Sequence, residues 1–217
     1  VEFSIIGALK EMSNFGSETL VRDAKSTRRL PAEEGVWVFI FGDMSMFGIF
    51  FLVFAHYYLQ QPEVFQVSQQ KLNAHYGAFN TVLLLTSSWF VVMALNAYRA
   101  SLMVMANRLI ALAFLCGAGF ATIKFIEYGE KLSQGITLTT NDFFMFYYVY
   151  TAVHFFHVTV GMVILAVLWF KTRNPNATVD AKKVAFFEGG AAFWHMVDLL
   201  WIVLFPLLYL VLSLIHI

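Results

Sequence analysis

Cysteine is almost absent from the chain. Cys116 stands alone, so no disulfide closes within the sequence and no thiolate cage can surround a metal. Charge is scarce as well: Asp, Glu, Lys and Arg make up only 13 % of the 217 residues, where soluble domains carry about 25 %. The 14 acidic and 14 basic residues cancel, so there is no basic excess of the kind that recognises nucleic acid. Four prolines and 13 glycines are too few for a collagen-like or low-complexity chain, and the poverty in charge excludes a disordered one. Hydrophobic residues fill the space left by charge, at 59 %, and aromatics reach 18 %. The mean hydropathy is +0.69. A water-soluble fold of this length could not enclose so much apolar surface, and the composition is that of an integral membrane protein.

The hydrophobic residues are not spread evenly. Residues 1–34 mix Lys10, Glu11, Glu18, Arg22, Asp23, Lys25, Arg28, Arg29, Glu33 and Glu34 and hold no spanning run. They read as a water-exposed tail, and Val1-Glu2-Phe3 does not open a secretory signal. The remainder, 35–217, reads as one membrane domain. Five apolar stretches, near 35–59, 77–98, 105–128, 143–170 and 185–214, approach or exceed the ~20 residues a spanning helix needs. Backbone in lipid must satisfy its own hydrogen bonds, so these runs are helices. The expected fold is all-α, a bundle of five transmembrane helices. Lys124 and Glu127, near the end of the third run, are expected to snorkel to the interface. Basic residues gather in the tail and in the second and fourth connections, where Arg99, Lys171, Arg173, Lys182 and Lys183 lie. The positive-inside rule then puts the N-terminus in the cytoplasm and the C-terminus outside.

Polar groups inside such helices are expensive, so function is sought among them. Asp43 lies about 12 Å into the first helix at 1.5 Å per residue. His154 and His157 are spaced i, i+3 on the fourth, with Gly161 a turn beyond. Glu188, His195 and Asp198 fall within roughly 80° of one another on the fifth. Three readings are open for this set: hydrogen-bonded ties between helices, a metal or haem site with imidazole ligands, and a proton path using the membrane acids. Trp194 and Trp201, spaced i, i+7, read as packing residues, and Gly117 as a point of close helix approach.

Several segments carry a family pattern. FEGGAAFWHMVDLLWIVLFPLLY, 187–209, resembles the terminal helix of subunit III of the haem-copper oxidases, with Glu188, Trp194, His195, Asp198, Trp201 and Tyr209 in the matching places. YTAVHFFHVTVG resembles that family's two-histidine helix at Thr151, His154, His157, Val158 and Gly161. FNTVLLLTSS is similar at Asn80, Thr81, Ser87 and Ser88, and FATIKFIEY at Phe120, Glu127 and Tyr128. EEGVWVFIFGDMSMFGIFF is similar to the helix with a glycine followed by a membrane acid, here Gly35 and Asp43.

The resemblance implies a chain without a redox centre or metal of its own, with haem and copper held in partner subunits. It implies packing on the catalytic subunit I, help with proton uptake, phospholipid binding and protection of the catalytic subunit. Asp43 is expected to face the partner or a lipid-lined cleft. His154, His157, Glu188, His195 and Asp198 are expected to form internal polar ties. The long form of the subunit has seven helices, and the five spans here resemble bacterial quinol oxidase subunits III and related proteins associated with nitric oxide reductase. Gly42-Asp43-Met44 is closer to the latter, so both a terminal oxidase and a nitric oxide reductase stand as expected partners, in a bacterial inner membrane. The rival expectation is a cytochrome b-type membrane anchor that binds haem through His157 and His195.

Overall fold

The computed structural model describes residues 34–174 and 180–210; the expected tail over 1–34 lies, but for Glu34, outside the described residues. The described elements are α1 (Glu34–Gln60), α2 (Pro62–Gln69), α3 (Ala74–Arg99), α4 (Met103–Ser133), α5 (Asp142–Thr172) and α6 (Ala181–Phe205), followed by a π turn, Pro206–Leu210. Among the described residues there is no strand. Five helices, Gly35–Gln60, Ala74–Arg99, Met103–Ser133, Asp142–Thr172 and Ala181–Leu210, are long and apolar enough to cross a membrane. The all-α expectation and its five spans hold.

Helix ends account for most boundary differences. Asn73, Asn141 and Asp180 each cap the helix that follows, their side-chain oxygens accepting from the backbone N–H of His75, Phe144 and Lys182 at 3.0, 3.0 and 2.8 Å. Such caps satisfy amides that a helix start leaves bare, so three helices begin before their apolar runs do. The short α2 lies in the first connection, where no apolar run marks a helix. It starts on Pro62 with Glu63 in its first turn, both favoured there, and is pinned by fully buried Phe65.

Two helices end on the same hydrogen-bond pattern with different residues. After α4, Gly135 adopts φ +74°, and Ile136 N–H reaches back to the Lys131 carbonyl at 3.0 Å. After α3, Ser101 takes φ +62°, and Leu102 N–H bonds the Ala97 carbonyl at 2.9 Å. Both are left-handed C-terminal caps, for which glycine is the unstrained choice.

The core is organised around α6. Trp194 and Trp201 are both fully buried, and Trp194 fits notches at Gly117 of α4 and Gly161 of α5, where an added methyl carbon would lie 3.0 and 2.7 Å from its ring. In contrast, α1 meets the rest along one stripe, where Asp43, Phe47 and Phe54 are buried while Val38, Phe41, Ile49 and Leu52 stay exposed. Aromatic rings carry that seam: Phe50 stacks on Tyr150 at 5.3 Å, and Phe54 meets Phe65 edge-on at the same distance.

Candidate functional site

Asp43 lies on the buried stripe of α1, one turn before Phe47. Its Oδ1 is 3.0 Å from Nε2 of His157 on α5, with both side chains almost fully enclosed. The second ring nitrogen, Nδ1, is 2.8 Å from the Val153 carbonyl one turn back. A carbonyl can only accept, so Nδ1 carries a proton. The Nε2–Oδ1 contact then needs one further proton, on either the imidazole or the carboxyl group. Asp43 and His157 therefore hold one proton between them and are jointly neutral in either placement. Phe47 closes over the imidazole edge-on, with ring centres 5.9 Å apart.

The remaining polar residues fall into separate settings. His195 Nδ1 on α6 contacts Ser88 Oγ on α3. Asp198, one turn further along α6, is buried with neither carboxylate oxygen in a hydrogen bond. His154 is enclosed with both ring nitrogens unbonded. Its ring stacks on Trp201 at 5.3 Å and takes the edge of Phe120 at 5.7 Å. Glu188 pairs with Arg99 at 2.7 Å, where α3 ends beside the start of α6. Among these, His157 serves the α1–α5 contact, and His195 and Glu188 the α3–α6 contact.

The geometry also bears on the two-histidine haem reading. An axial pair needs two imidazoles facing each other across a gap, each with a free nitrogen. His157 has both nitrogens engaged and turns toward α1, while His195 turns toward α3. The pair does not fit haem. Among the described residues, no group of three His, Cys, Asp or Glu side chains is placed to hold a metal ion.

One cluster corrects the sequence expectation. Lys124 and Glu127 do not snorkel: they are 2 % and 0 % exposed. Lys124 Nζ donates to Glu127 Oε2 at 2.8 Å and to the Tyr209 hydroxyl at 2.9 Å. Tyr209 in turn donates to Glu127 Oε1 at 2.6 Å, so both carboxylate oxygens accept and the ring of three bonds is closed. The ammonium also lies 4.9 Å from the Trp201 ring centre, a cation–π contact strengthened by exclusion of water. The π turn after Pro206 carries Tyr209 to this point. The i, i+3 spacing of a lysine and a glutamate was the available signal, and it marks a helix face equally well when that face is buried.

Residues 23–213 match the family model described as cytochrome c oxidase subunit III. The chain is 26 % identical over 180 residues to the cytochrome bo(3) ubiquinol oxidase subunit 3 of Buchnera aphidicola, covering 81 % of this chain and 84 % of that one. It is 30 % identical over 179 residues to a cytochrome c oxidase subunit 3 of Thermostichus vulcanus, covering 81 % and 85 %. A heme-copper oxidase subunit I+III of Aeropyrum pernix is 27 % identical over 184 residues, 81 % of this chain but only 22 % of that longer protein. The motifs, the five spans and the family match agree: this chain is a multi-pass membrane protein that belongs to the subunit III family of the haem-copper oxidases.

Proposed function

We propose that the chain is the non-catalytic subunit III of a respiratory haem-copper oxidoreductase in a bacterial inner membrane, packed on the catalytic subunit I, which carries the haem and copper. The observation that carries this reading is the family match over 23–213. A relative in which subunits I and III are one polypeptide supports the partner. The relatives described above are oxidases, which favours oxygen as the partner's acceptor. Gly42-Asp43-Met44 favours nitric oxide, and partner identity decides between them.

In this reading the N-terminus is cytoplasmic and the C-terminus outside. Asp43 supports proton uptake, because its free Oδ2 can take a proton while Oδ1 keeps its contact with His157, and can return it from the same oxygen. The chain itself holds no redox centre; its residues position, shield and exchange protons. Phospholipid is the second partner. A cavity of about 410 Å³ between α1, α5 and α6, lined by Val36, Phe39, Ile164, Phe186 and Phe193, suits an acyl chain. A second cavity of about 190 Å³ also reaches Phe186 and adds Lys171 and Lys183, and Lys171 Nζ sits 3.8 Å over the Phe186 ring. Apolar space with lysines at its edge matches a phospholipid tail and headgroup.

The test is purification of the tagged chain in mild detergent, with mass spectrometry of whatever accompanies it. Recovery of a large polytopic subunit with bound haem is the expected result. A chain recovered alone, coloured by stoichiometric haem that disappears in His195→Ala, would sink the reading and restore the cytochrome b-type anchor.

A further inference from the structure

His195 and Ser88 sit near the middle of their spans, 181–210 and 74–99, roughly 20 Å from the start of each helix at 1.5 Å per residue. Both are only half-buried. That placement is unusual, since polar side chains at mid-membrane depth turn to the bundle interior or to a partner rather than to lipid. His195 spends Nδ1 on Ser88, and its Nε2 bonds no described residue. The surroundings are apolar and outward-facing. Leu85 and Val92 lie one turn on either side of Ser88, and Leu199 and Ile202 follow His195 by one and two turns; all four are 43–51 % exposed. Trp89 beside Ser88 is 60 % exposed. At one end of the same α3–α6 seam, Arg99 and Glu188 form the half-exposed ion pair.

The geometry points to the α3–α6 face as the docking surface for a transmembrane helix of a partner subunit, which offers a hydrogen-bonding group at mid-membrane depth to His195 Nε2. Hydrocarbon could cover the leucines, valines and Trp89 as well as a helix can, but it cannot satisfy the imidazole. A partner helix does both: its side chains pack on the apolar border and one polar group completes the histidine. Phe125 on α4 and Phe156 on α5, each 65 % exposed, offer a purely apolar pair of positions for comparison. The inference rests on the reading of the chain as an accessory subunit and adds the face and the contact to it.

Photo-crosslinking in native membranes tests it, using the intact complex with benzoylphenylalanine placed at Val92 or at Leu199, and at Phe125 or Phe156 for comparison. The expected result is capture of a partner membrane polypeptide from Val92 and Leu199. A second copy of this chain at those positions, or lipid alone, overturns the proposal. Partner capture confined to Phe125 and Phe156 overturns this face while leaving the subunit reading intact. Replacing His195 with Leu is expected to weaken retention of the partner through detergent purification roughly tenfold, the loss of one desolvated hydrogen bond. Retention unchanged in His195→Leu, in a variant that still inserts and crosslinks, removes the histidine from the contact.

Discussion

Asp43 of α1 and His157 of α5, more than a hundred residues apart in sequence, meet at 3.0 Å with one proton between them. The pair couples α1, whose outer rows stay exposed, to the core and sets the chemistry of that interface at once.

Two substitutions separate those roles. Asp43→Asn keeps a donor toward His157 Nε2 but cannot exchange a proton; Asp43→Ala loses both and leaves a buried imidazole nitrogen unmatched, at about 1–3 kcal/mol. The visible spectrum of the complex is expected to stay unchanged in both. Turnover should fall in both, whereas the half-life of activity should shorten only in Asp43→Ala. Full turnover in Asp43→Asn would remove the proton role from Asp43.

The ring formed by Lys124, Glu127 and Tyr209 predicts a contrast between single and double replacement. Lys124→Met leaves a buried carboxylate without its cation and is expected to cost about 3–5 kcal/mol. Lys124→Met combined with Glu127→Gln removes both charges and should recover much of that loss, giving a large coupling in a double-mutant cycle. Arg99→Ala breaks a pair in which the arginine is 47 % exposed, and is expected to cost under about 1 kcal/mol. Thermal midpoints in detergent, measured at two salt concentrations, check all three.

Gly161→Ala would put a methyl group 2.7 Å from Trp194 Cε3. Trp194 is fully buried and cannot step aside cheaply, so a loss of about 1–3 kcal/mol is expected. Gly48→Ala on α1 meets nothing within 4 Å and should be neutral or slightly stabilising. An equal loss at both positions would contradict the packing described for Trp194.

The two C-terminal caps give opposite expectations. Ser101→Gly relieves a left-handed serine and should stabilise by about 1 kcal/mol. Gly135→Ala introduces the same strain at φ +74° and should destabilise by a similar amount. Denaturation midpoints of the two variants should therefore move in opposite directions.

The spans were legible because hydrocarbon demands an unbroken apolar run, and that demand is written residue by residue. α2 escaped notice because eight residues with two glutamines, a serine and a glutamate show no such run; buried Phe65 is what holds it. The polar positions were legible and their partners were not. Depth in a helix follows from counting, whereas the pairing of Asp43 with His157, or of Lys124 with Tyr209, depends on how distant helices rotate against each other. Lys124 and Glu127 show the limit most plainly, since a lysine near a span end has the same sequence neighbours whether it turns outward or inward.

The sparse attachment of α1 has a consequence for biogenesis. Asp43 is synthesised long before His157, and at roughly 5–20 residues per second the delay is on the order of ten seconds. During that interval α1 enters the bilayer carrying an acid with no imidazole to share its proton. The helix least supported by neighbours in the described fold thus enters the bilayer before the residue that completes its acid is made, and its exposed Phe, Val, Leu and Ile supply hydrophobicity that offsets the cost.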